Sequence, residues 1–160
     1  NSCAVCHRES EETLKNNVYE IQDNVFQILK MAQLNLATAH LEAKIAWDNK
    51  VIAEKMKEVQ TLLKQSQFRW DWVAAANSMG FHAPVEALRV LTTSLEKSYN
   101  ARLLLHNILS ELNVKSPYIL PDYATKEKAQ KLIGLEISKI IQQKEEFKKN
   151  VLPQWVKAEK

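Results

Sequence analysis

Cys3 and Cys6 stand two residues apart, and His7 follows the second directly. This spacing is that of covalent c-type haem attachment. Each thiol can add to one vinyl group on the same edge of a porphyrin. The two residues between them let the chain turn so that both sulfurs reach that edge. The next imidazole then falls beneath the ring, where it can bind iron. The chain has only these two cysteines, and this reading uses both. The alternatives are a redox dithiol, half of a zinc site, or a disulfide beside an incidental histidine. A zinc site needs a second ligand pair at short spacing, and none follows. A thioredoxin-like motif belongs in a βαβ setting, and the chain offers no strand signal. Haem c held by Cys3, Cys6 and His7 is therefore the favoured reading.

Three further histidines are His40, His82 and His106. A low-spin haem used for electron transfer takes a sixth ligand, usually His or Met. His40 and His106 fall inside helical runs and read as surface or partly buried side chains. His82 lies on a short corner, Phe81-His82-Ala83-Pro84, just after Gly80. Such a corner holds an imidazole in one direction, as a ligand requires. The residues alone leave open whether His82 binds iron.

The elements that must position these groups are helical. The 160 residues include only two glycines and four prolines, which disfavours a turn-rich architecture. The chain is 46% hydrophobic and 26% charged, ordinary for a globular domain able to bury a core. No run approaches the roughly 18 apolar residues of a membrane span. A net charge of +3 gives no case for nucleic acid. The chain starts at Asn1, without Met or a secretory signal, two residues from the motif. A haem needs chain on several sides, so Asn1 is expected to be a cut end of a longer protein.

Ser10 before Glu11 and Glu12 predicts an N-cap with acids in the first turn. Leu14, Val18, Ile21, Val25, Ile28, Ala32, Leu36, Ala39 and Ala43 then recur in steps of three and four. That helix should end near Trp47, at Asp48 or Asn49. A second helix is expected from about Lys50 to Met79, with Gly80 as its stop. Its cluster Phe68-Arg69-Trp70-Asp71-Trp72 suits a surface that receives a flat group, although ordinary packing is favoured. A third helix should run from Pro84 to Leu112. Pro117 and Pro121 make residues 113–124 a loop. Thr125 should cap a last long helix striped by Ile133, Ile137, Ile140, Ile141, Phe147, Val151 and Trp155, which Pro153 kinks or ends. The expected fold is all-α, a bundle of about four long helices. Residues 1–9 form the attachment segment and 10–160 one long-helix domain.

Three stretches carry a resemblance to a known family. They are Gln67-Phe68-Arg69-Trp70-Asp71-Trp72 with Phe81-His82-Ala83-Pro84 and Glu86-Ala87-Leu88-Arg89, then Leu120 to Gln130 with Ile133-Gly134-Leu135, and Val151-Leu152-Pro153-Gln154-Trp155. In order and spacing they resemble ammonia-forming cytochrome c nitrite reductase, over nearly the whole chain. The resemblance implies the C-terminal helical part of a periplasmic pentahaem enzyme reducing nitrite to ammonia. It implies that Cys3, Cys6 and His7 form the last of five haem sites. It implies that His82 ligates a different haem, whose cysteines lie upstream. Catalytic residues and calcium ligands would also lie upstream, so none is assigned here. It further implies a homodimer through long helices and a quinol-oxidising cytochrome as electron donor. A related multihaem oxidoreductase for another nitrogen or sulfur oxyanion, and a helical electron-carrier cytochrome, are the other two readings.

Overall fold

The computed structural model describes residues 5–158, with side chains as far as Trp155. Among these described residues six helices follow in order: α1 (Glu11–Asp48), α2 (Ala53–Ala74), α3 (Pro84–Glu111), α4 (Lys126–Leu132), α5 (Ile137–Asn150) and α6 (Leu152–Ala158). No strand occurs among the described residues, and no helix is long and apolar enough to cross a membrane. The contacts divide the chain into two units, Asn1–Tyr118 and Ile119–Lys160.

In the first unit α3 packs along both α1 and α2, which meet each other more sparingly. Ser10 caps α1 as expected, its Oγ accepting the Thr13 backbone N–H at 3.1 Å. The helix stops at Asp48, where Lys50 turns left-handed at φ 60°. Lys50 and Val51 there donate back to Trp47 and Ala46 carbonyls, closing the helix end. α2 is shorter than expected, from Ala53 to Ala74, because residues 76–83 form consecutive tight turns rather than helix. Pro84 begins α3 as expected.

Two apolar clusters fill the bundle. One gathers Leu36, Ala39, Met56, Val59, Leu63, Leu105 and Leu109 with their neighbours. The other gathers Val25, Leu29, Val73, Ala87 and Leu91. Trp70 packs against both, and its indole N–H donates to the Leu29 carbonyl at 3.1 Å. Polar side chains are bonded across the helices alongside these clusters. The Ser66 and Ser94 hydroxyls each donate to the other's carbonyl at 2.8 Å. The Asn35 amide donates to Ser98 Oγ at 2.7 Å. Arg102 reaches Glu42 through two bonds of 2.9 Å.

The second unit departs from the expected single long helix. Gly134, at φ 72°, ends α4. Its N–H donates to the Lys131 carbonyl, and that of Leu135 to Gln130. These bonds form a helix-closing motif that favours glycine at this position. A second break follows at Val151, so α5 and α6 are separate, with Phe147 and Trp155 rings meeting edge-on at 5.3 Å. Thr125 caps α4 as expected.

Candidate functional site

Residues 5–9 lead into α1 and are exposed. Cys3 lies outside the described residues. Cys6 is an exposed free thiol and His7 is exposed. His7 Nδ1 lies 3.6 Å from Glu9 Oε2. A carboxylate on that side turns Nε2 outward, the usual arrangement for an iron-ligating imidazole. Glu9 is absent from the sequence reasoning; an acid two residues after the histidine was its only signal. An accessible thiol beside an accessible histidine fits a thioether-linked haem.

His82 sits on the corner between α2 and α3, beside the Gln22–Val25 turn of α1. The corner is pinned to α1 by Gln22, whose side-chain amide donates to the Ser78 carbonyl at 2.9 Å. Gly80, at φ 76°, lies so close to α1 and α3 that a Cβ would stand 2.9 Å from Ala87 Cβ and 3.0 Å from Val25 Cγ2. The Ala83 N–H donates back to Gly80, and the Phe81 ring meets His82 edge-on at 5.0 Å. The imidazole is thus exposed and held on a braced turn. Ser10 and Gln22 are separated by about 18 Å of helix. The attachment segment and the corner therefore meet α1 at different levels.

The remaining histidines stand elsewhere. His106 is exposed, with Nδ1 3.2 Å from the Tyr118 hydroxyl. Burial first, and the Glu42 carboxylate second, push the Tyr118 phenol above its ordinary pKa. His40 is exposed and lines a groove of about 1070 Å³ between α1 and α2, with Trp47, Lys64 and Phe68. Of the aromatic cluster, Trp70 packs into the bundle, while Phe68 and Trp72 are 72% and 53% exposed and face away from the core. Among the described residues no three His, Cys, Asp or Glu side chains converge as a metal site.

The family model of cytochrome c552 matches residues 1–160. A protein of Parabacteroides distasonis named cytochrome c-552 is 44% identical over 156 residues, 98% of this chain and 32% of that protein. Its namesake in Bacteroides fragilis is 43% identical over 97% of this chain and 31% of its own length. Another, from Haemophilus ducreyi, is 37% identical over 96% and 31%. The chain thus spans about a third of the length of the curated relatives it matches.

These findings correct the assignment drawn from the resemblance. The family matched is cytochrome c552 in place of ammonia-forming nitrite reductase, and the enzyme assignment is withdrawn with it. Five haems and calcium have no support in the comparisons. The physical reason lies in what the resembling stretches do. Trp70 braces α2 against α1, Pro84 starts α3, and Glu86 and Arg89 pair on its first turns. Asp122 and Thr125 accept backbone N–H groups where α4 begins. These are scaffold roles, and a scaffold does not specify a reaction.

Proposed function

Because the chain belongs to the cytochrome c552 family, we propose that it carries electrons through a haem c joined to Cys3 and Cys6 and ligated by His7. The bound haem supplies one-electron chemistry, its iron alternating between ferric and ferrous states. The observation that carries this is the exposed Cys6–His7 pair, with Nδ1 of the imidazole turned toward Glu9. In this arrangement the chain's own residues do three things. The thiols fix the ring's position, His7 fills one axial site, and α1 ties the pair to a rigid bundle. Of the three sequence readings, the helical electron carrier is the one the family supports.

His82 serves as axial ligand to a second iron. The braced corner supports this by presenting an exposed imidazole on a rigid turn. Replacing His82→Ala should convert one low-spin haem signal of the intact protein to high spin and leave the His7 haem low-spin. A change at the His7 haem instead overturns the assignment. Thioether attachment places the protein in the periplasm, and a quinol-oxidising cytochrome is its donor. The long helices carry a homodimer.

The primary test is chemical. After denaturation and acid extraction, haem absorbance should stay on the polypeptide. Colour that leaves with the solvent rejects thioether attachment, and with it this function.

A further inference from the structure

The apolar stripe of α1 outruns the core it belongs to. Its buried part begins at Val25. Upstream, Leu14, Val18 and Ile21 keep the same three-and-four spacing, so the row from Leu14 to Val25 extends about 16 Å along the helix. These three side chains are half-buried, while every other residue from Glu11 to Asn24, Gln22 excepted, is exposed. None of the three belongs to either apolar cluster. Contact with the α2–α3 corner enters at Gln22 and Val25, past these three side chains. Thus the first three turns of α1 carry an apolar row that is only partly covered and lies outside both clusters.

This face lies immediately downstream of the attachment motif. Only Arg8, Glu9 and Ser10 separate His7 from Glu11, a reach of no more than about 14 Å even fully extended. The porphyrin is the large apolar group that this chain itself tethers beside the row. We propose that Leu14, Val18 and Ile21 form the apolar wall against which the haem on Cys3, Cys6 and His7 packs. The proposal rests on the haem attachment given above. Such a wall keeps water from one side of the ring, and an apolar surround raises the reduction potential because it disfavours the extra positive charge of the ferric state. A carboxylate in the wall does the opposite, by stabilising that charge.

The test uses the intact haem-loaded protein and the potential of the haem on His7. Val18→Asp should shift that potential downward. Val18→Leu, and Leu103→Asp at an exposed site on α3 that is 65% accessible, should leave it at the wild-type value. If Val18→Asp does not fold, Val18→Thr, of similar shape and uncharged, should still give a smaller downward shift. A folded Val18 variant with an unchanged potential overturns the wall. So does a change in sedimentation without a shift in potential, which assigns the row to a contact between copies. Haem lost from the denatured wild type shows instead that the attachment itself is wrong, a failure seen before any variant is made.

Discussion

Glu42 holds a carboxylate at a position only 5% exposed, on the stripe of α1 that faces α3. The Arg102 guanidinium answers it with two parallel bonds of 2.9 Å and gives a third, of 2.8 Å, to Asn35 Oδ1. The fork geometry suits arginine and would not be reproduced by lysine. Removing one partner of a buried pair leaves a desolvated charge, which costs more than the pair contributes. Arg102 is about a third exposed, so the low end of the usual range applies. Arg102→Leu should cost about 3 kcal/mol, lowering the melting temperature by about 6–12 °C. The double change Glu42→Leu with Arg102→Met should recover most of that loss. A double variant no more stable than Arg102→Leu would show that the cost lies in packing, not in the stranded charge. None of this was legible in the sequence. Asn35 and Glu42 lie seven residues apart on the apolar stripe, but an isolated polar residue on a helix reads as solvated until its partner, 60 positions away, is known. The Cys3–Cys6–His7 spacing can be read because it is local, whereas the Glu9 carboxylate near His7 leaves no such pattern.

Helix boundaries show the same division between local and non-local causes. Ser10, Pro84 and Thr125 start helices as their types dictate, since a cap needs only the next few residues. The ends of α1 and α3 fall close to expectation, yet their left-handed residues are Lys50 and Asn113, not glycines. The two glycines, Gly80 and Gly134, have nearly the same φ and opposite surroundings. A Cβ on Gly80 would meet Ala87 and Val25, whereas one on Gly134 would meet nothing within 4 Å. Both changes to alanine incur the left-handed cost of about 1–2 kcal/mol. Only Gly80→Ala adds overpacking, typically about 1–3 kcal/mol more. It should therefore be clearly the more destabilising in thermal unfolding, and it should disturb the iron proposed to be ligated by His82, which Gly134→Ala should not. Equal losses of stability would mean that the corner yields and that the close approach to α1 is not rigid. Gly134 was also the point at which the sequence misled. The isoleucine stripe continues through it in helical phase, and periodicity does not register a single residue able to reverse the chain.

At the scale of the molecule, the two units differ in how they treat their apolar side chains. The first buries Val25, Leu91, Leu105 and Leu109 completely, while no described residue from Ile119 onward is buried. Ile140, Ile141, Phe147 and Trp155 are 45%, 56%, 40% and 59% exposed. The spacing of Ile140, Ile141 and Phe147 gives α5 a one-sided apolar face with lysines and glutamates on the other. A contiguous face of this kind marks an interaction surface more often than a free one. The proposed occupant is the same face of a second copy. A two-fold contact is self-complementary, so isoleucines on one α5 would meet isoleucines on the other. The breaks at Gly134 and Val151 confine such a contact to α5 and the edge-on Phe147–Trp155 pair, instead of an unbroken helix. The intact protein should then sediment as a dimer at micromolar concentration. Ile140→Lys should shift it toward monomer, because each dimer would bury two ammonium groups that face each other across the axis. Lys139→Glu, on a neighbouring exposed position already paired with Glu136, should leave the dimer intact. A wild type that is monomeric at that concentration, or an Ile140→Lys variant that remains dimeric, would remove α5 from the interface and leave its apolar face to another partner.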